Sequence, residues 1–319
     1  MSSLQRALAI VQPIVIALAF VLLGLLLSSQ WDHLRALDWR LRPLWLLASG
    51  GCMLAGWLTE IRLWQLLLRR FGGRLPYRSA VRVWFASAIV RYVPGNIWQP
   101  LSLATRSHAR GVRPEVTLAS LSMFQAILIL GVGLITAGYL AVWGRSGPLA
   151  HWLGGVSMWW SPLVAGPVIF FLFRPGTLIT LANLVLKKMG REPLPLGLSS
   201  RDLMGMLGIA LLAWMCFCAA FTLLAGAVLP LDHHALWTAM PHLMAAYPIA
   251  FATGFLSLLT PGGLLVRDGM LFLMLTPVIG REQAIVVALA MRAWEIVLDG
   301  LASAGAIGLP HLLKRRSEP

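Results

Sequence analysis

The chain has 319 residues, of which 58% are hydrophobic and only 12% charged, yet its formal net charge is +14. That balance excludes an ordinary soluble globular domain, since apolar runs near the length of a membrane span recur from end to end. It also makes a nucleic-acid partner an unnecessary explanation of the basicity, because anionic headgroups at a membrane surface account for it.

In chain order, apolar spans are expected at 8–27, 43–67, 116–142, 157–173, 203–229 and 285–309. The first run is too long for a signal-peptide core and lacks a small-residue cleavage site, so it is expected to stay as a span. Two further apolar segments, 79–107 and 242–277, are interrupted. The first contains Arg91-Tyr92-Val93-Pro94-Gly95-Asn96-Ile97-Trp98-Gln99, the second Thr260-Pro261-Gly262-Gly263-Leu264-Leu265-Val266-Arg267-Asp268-Gly269. Proline removes an amide donor and glycine frees the backbone, so a helix stops at such pairs. Each arm of the first segment reaches roughly 20 Å at about 1.5 Å per residue, short of a hydrocarbon core of about 30 Å. Both segments are therefore read as re-entrant hairpins. The connector 177–198 reads as an interfacial amphipathic helix ending at Gly190, followed by a loop at Pro193 and Pro195.

Lysine and arginine fix the orientation. The loops holding Arg69, Arg70, Arg74 and Arg78, then Arg106, Arg110 and Arg113, then Lys187, Lys188 and Arg201, fall on one side with both termini. Arg35, Arg40, Arg42, Arg145 and Arg281 fall on the other. The rule that positive loops stay inside makes the termini cytoplasmic. The fold class expected is an all-α polytopic membrane protein forming one integral membrane domain over 1–319. Its halves, 1–145 and 146–319, would each be three spans plus one hairpin, in opposite orientation. Inverted repeats of this kind bring broken helices together near the midplane.

Ionisable residues at membrane depth are costly and mark candidate sites. Arg91, one turn before Pro94, reads either as an oxyanion ligand or as a side chain snorkelling to the interface. A half-helix beginning near Asn96 would aim free amides at the same anion. Arg267 and Asp268 follow the second break and point about 100° apart on a helix, so they need not neutralise each other. Arg292, Glu295 and Asp299 share one face of the last span, where an Arg292–Glu295 salt bridge is expected. Glu60 lies deep in the second span beside Trp57 and Trp64, a setting equally suited to packing at the membrane interface. Candidate substrate contacts are Arg91, Pro94, Gly95, Asn96, Pro261, Gly262, Gly263, Arg267, Asp268, Arg292 and Glu295. Candidate proton carriers are Glu60, Asp268, Glu295 and Asp299.

Other chemistry finds no setting. Cys52, Cys216 and Cys218 lie in apolar runs and read as small core residues. His233 and His234 occupy a short loop without ligands at metal spacing, and His242 is placed at the external surface. No phosphate-binding glycine loop or recognisable nucleophile is present, so ATP hydrolysis, a metal and a cofactor are not expected.

On these residues the chain resembles the lysylphosphatidylglycerol synthase transmembrane family, also described as flippase-like. The likeness rests on Arg91 to Gln99, on Pro261-Gly262-Gly263 with Arg267-Asp268-Gly269, and on Ala290-Met291-Arg292. The family often has glycine at the position of Leu265 and glutamate at that of Asp268, whose side chain is one methylene shorter. The resemblance implies movement of an anionic, amino-acylated or polyprenyl-phosphate lipid between leaflets of the inner membrane. In the namesakes aminoacyl transfer belongs to a soluble domain that this chain is expected to lack, so synthase activity is not expected. Two other readings are an intramembrane transferase acting on a lipid-linked substrate and a non-transporting scaffold subunit of an envelope-synthesis complex.

Overall fold

The computed structural model describes residues 42–92, 98–153, 159–177, 180, 183–184, 199–256 and 264–315. Among them every regular element is helical, with no strand. The chain runs α1 (Pro43–Arg70), α2 (Tyr77–Ala88) with a 3-10 turn at Ile89–Tyr92, α3 (Trp98–His108), α4 (Pro114–Trp143), α5 (Pro148–Leu153), α6 (Trp160–Phe173), α7 (Ser200–Val228), α8 (His233–Leu256), α9 (Leu264–Ile279) and α10 (Arg281–Arg315). Four of these, α1, α4, α7 and α8, are long and apolar enough to cross a membrane.

Local signals set several of the boundaries. Proline opens α1 and α4, where its missing amide costs nothing. Ser199 caps α7, accepting a hydrogen bond from the Asp202 amide at 3.1 Å. Gly72 (φ 81°) ends α1, and Gly280 (φ 84°) turns α9 into α10, both in the left-handed region where a side chain is strained.

The centre of the bundle is an antiparallel α1–α7 pair. Ser49 Oγ donates to the Ala220 carbonyl at 2.7 Å, and near the ends Arg42 N meets Ala227 O while Arg70 meets Asp202. Small residues admit large ones along this seam: Gly56 faces the Phe217 ring and Gly226 faces Trp45. Without water between helices in lipid, such close packing and buried hydrogen bonds hold the pair. α4 packs beside it, with Trp64 Nε1 donating to Ser120 Oγ at 3.0 Å and Trp214 Nε1 to the Leu128 carbonyl at 3.1 Å.

These contacts place the ends of the helices. The Arg70 end of α1, the Arg113 end of α4 and the Ser199 end of α7 lie together, and Gly73 packs on Val112 there. α2 starts from this basic end and α3 returns to it, with Ser102 Oγ donating to Ser87 Oγ at 3.0 Å between the two arms. α2, the 3-10 turn and α9 all pack on α10, where Ser303 Oγ donates to the Phe85 carbonyl at 2.8 Å.

Several expectations shift. His233 and His234 open α8 instead of forming a loop, because Asp232 caps the helix there, its Oδ1 accepting from the Ala235 amide at 2.7 Å, and Pro241 and Pro248 are absorbed within it. At 24 residues α8 is about 36 Å long, beyond the half-crossing arm read from residue 242. α10 runs past residue 309 to Arg315. α6 begins at Trp160, and the residues 154–158 before it are not described. The expected first span, most of the 177–198 connector, and both breaks (Pro94, Gly95 and Asn96; Pro261, Gly262 and Gly263) lie outside the described residues.

Candidate functional site

α10 is the element on which the ionisable residues converge. From the first interrupted segment, the 3-10 turn presents Arg91, whose Nη1 lies 3.4 Å from Asp299 Oδ2; Asp299 is 1% exposed. From the second, α9 presents Arg267, which grips Glu295 with both terminal nitrogens, at 3.0 Å and 2.5 Å. Glu295 and Asp299 are four residues apart, so both pairs sit on one face of α10, about 6 Å apart along its axis. Fork-on-carboxylate geometry of the Arg267–Glu295 kind is the stronger type of charged contact.

Tyr247 of α8 completes the Arg267 pair. Its hydroxyl donates to Glu295 Oε1 at 2.7 Å, and its ring lies 5.1 Å from the Arg267 Cζ, close enough for a cation–π contact. The ring is held by Phe221 at 5.4 Å, with Phe217 and Trp214 at 6.4 Å. Sequence reading missed Tyr247; the signal available was a tyrosine between Ala246 and Pro248 in an otherwise apolar run, whose hydroxyl needs a buried partner. Among the described residues, Arg267 Nε and the Trp294 indole nitrogen are buried donors that find no partner, and groups of that kind call for a further protein group, water or a ligand.

The remaining candidates surround the pairs. Asp268 lies within electrostatic range of Arg292, Arg267 and Glu295. Arg292 does not form the expected ion pair with Glu295, whose oxygens are taken by Arg267 and Tyr247. Spacing on one helix suggested the i,i+3 partner; the fold supplied a better-aimed arginine from the neighbouring helix. Glu60 reaches the same region from α1, within range of Arg91 and Tyr247. Its side of α1 is not at the membrane interface: Trp57 packs edge-on to Phe85 and Trp64 against Trp84, both buried. His242 is half-buried at the end of the bundle away from the basic loops, its Nδ1 2.8 Å from the Tyr139 hydroxyl.

Three arginines thus meet four carboxylates (Glu60, Asp268, Glu295 and Asp299) inside an otherwise apolar bundle. Buried charges in such surroundings persist only when paired and hydrogen-bonded. Arg91 does not simply snorkel to solvent; it takes a buried acid. The three cysteines are free, and among the described residues no cluster of metal-ligating side chains occurs.

No curated protein matches the chain. Residues 7–302 match the family described as the lysylphosphatidylglycerol synthase TM region, which covers both interrupted segments and the whole of this charged cluster. The chain is a multi-pass membrane protein and belongs to that family.

Proposed function

We propose that the chain is a lipid flippase or scramblase of the inner membrane, moving a lipid with an anionic or polyprenyl-phosphate headgroup between leaflets. One observation carries this reading: two arginines from two separately interrupted segments are held on adjacent turns of one helix within the bundle. Ionisable residues at that depth are expensive and are kept for substrate or ion pathways, and broken helices meeting at the midplane are how many transporters build such a pathway. The family match supports a role with membrane lipids and fits this reading.

The pairing alters how a headgroup would be received. Arg91 and Arg267 already hold Asp299 and Glu295, so an entering phosphate would compete with a carboxylate for a guanidinium. Each displaced carboxylate then becomes the place where proton uptake offsets the added negative charge, with Glu60 and Asp268 close by. Arg292, engaged at a distance by Asp268 and Glu295, is the guanidinium that meets the headgroup first. In this reading the first interrupted segment is a re-entrant hairpin, the second pairs the full-length α8 with the shorter α9, and rocking of one half of the chain against the other exposes the cluster to each leaflet in turn. The basic helix ends lie on the cytoplasmic side with both termini.

The test is a leaflet-specific labelling assay in proteoliposomes carrying fluorescent phosphatidylglycerol. An Arg267→Ala/Arg292→Ala variant is expected to lose translocation, and adding Glu295→Gln, so that no buried carboxylate is stranded, separates that loss from unfolding. Translocation at the wild-type rate would remove the proposed site.

A further inference from the structure

At the basic end of the bundle α1 and α7 part around an open cleft of about 470 Å³. Its walls are of two kinds. Leu66 from α1 and Met206 and Ile209 from α7 form an apolar floor, while Arg69, Arg70 and Arg201 form the rim. Arg70 is engaged by Asp202 at 2.5 Å, and Asp202 also accepts from the Ser199 hydroxyl at 2.8 Å. Arg69 and Arg201 are exposed and have no acidic partner among the described residues. Two uncommitted guanidinium groups therefore flank a greasy groove at the end of two membrane-spanning helices.

We propose that this cleft binds an anionic phospholipid, its phosphate between Arg69 and Arg201 and its upper acyl chain along Leu66, Met206 and Ile209. A free phosphate would use the rim and gain nothing from the floor; a zwitterionic lipid would use the floor and gain little from the rim. Only an anionic lipid satisfies both. Basic pockets between helices at the cytoplasmic surface are a known means of holding such headgroups. The site shares no residue with the Arg91–Asp299 and Arg267–Glu295 cluster, so it stands whether or not that cluster moves lipid. Its effect is to fix the α1–α7 seam to the inner leaflet.

Gly205 offers a second handle, because a Cβ built there meets nothing within 4 Å and points into open space at the cleft. Purified full-length protein is exchanged into mixed micelles of phosphatidylglycerol and phosphatidylcholine, and retained lipid is counted by native mass spectrometry. Wild type is expected to retain phosphatidylglycerol over phosphatidylcholine. Arg69→Gln/Arg201→Gln is expected to bind phosphatidylglycerol about thirtyfold more weakly, at about 1 kcal/mol per arginine. Gly205→Leu, which leaves both arginines in place, is expected to lose the same lipid by filling its groove. Arg281→Gln, at the opposite end of the bundle, should retain it. The proposal is overturned by equal retention of the two lipids, by wild-type retention in either cleft variant, or by an equal loss in Arg281→Gln. Displacement of the lipid by millimolar inorganic phosphate would overturn it too, since that outcome describes a site blind to the acyl chain.

Discussion

Two glycines five residues apart on α1 give the structure its sharpest test. A Cβ added at Gly56 would lie 2.4 Å from Phe217 Cε1 and 2.7 Å from Cδ1. Carbon atoms in contact normally sit about 3.5–4.0 Å apart, so the ring must retreat by about 1 Å. It has little room, being 5% exposed with Trp214 edge-on at 5.9 Å and Tyr247 beyond. Overpacking of this kind costs about 1–3 kcal/mol, and the size of the overlap puts Gly56→Ala near the top of that range. Alanine returns up to about 1 kcal/mol of helix propensity, leaving a net loss of about 2 kcal/mol. Gly51→Ala meets nothing within 4 Å and should be neutral or gain up to about 1 kcal/mol. Reversible unfolding in mixed micelles measures both. Adding Phe217→Leu should restore part of the loss in Gly56→Ala, giving a favourable coupling of at least about 1 kcal/mol. Because the displaced ring leans on Tyr247, translocation should fall in Gly56→Ala although no polar group has been touched. If Gly56→Ala is as stable as Gly51→Ala, or the double variant is additive within about 0.5 kcal/mol, the α1–α7 seam is not packed as described.

Glu295→Gln strands Arg267 without its counter-charge and should cost about 3 kcal/mol or more, whereas Arg267→Gln/Glu295→Gln should recover most of it. The double-mutant cycle by the same unfolding assay decides, and additive losses would mean that the pair is not closed at rest. Tyr247→Phe keeps the ring over Arg267 but removes a hydrogen bond to a carboxylate, worth about 1.5–3 kcal/mol; translocation and stability should both drop, by less than in Glu295→Gln. Ser49→Ala removes the 2.7 Å bond to Ala220 and should cost only about 0.6 kcal/mol, the usual scale for such bonds in membrane helices. Asp299→Asn should lower translocation while Glu282→Gln, an exposed acid in the first turn of α10, should leave it unchanged, read in the labelling assay.

The span pattern was legible because a membrane helix declares itself by length and apolarity alone. The expected spans 43–67, 116–142 and 203–229 agree with α1, α4 and α7 to within about three residues at each end. Proline was the harder signal. Pro241 and Pro248 lie within α8 and Pro277 within α9, so the residue alone does not decide whether a helix in lipid stops. The membership of the charged cluster was also readable, since Arg91, Arg267, Arg292, Glu295, Asp299 and Glu60 are exceptions in apolar surroundings. Its pairing was not. Which arginine reaches Glu295 depends on where α9 crosses α10, a tertiary fact with no trace in i,i+3 spacing. Tyr247 escaped for the same reason: its partner lies 48 positions away.

Placing both acids on α10 has a mechanical consequence. Four positions along a helix leave the two carboxylates about 40° apart in azimuth, so a modest roll of this single rod would pull each from its arginine together. Such a roll would draw on the Arg91–Asp299 and Arg267–Glu295 contacts at once, so motion of α10 would be felt by both segments.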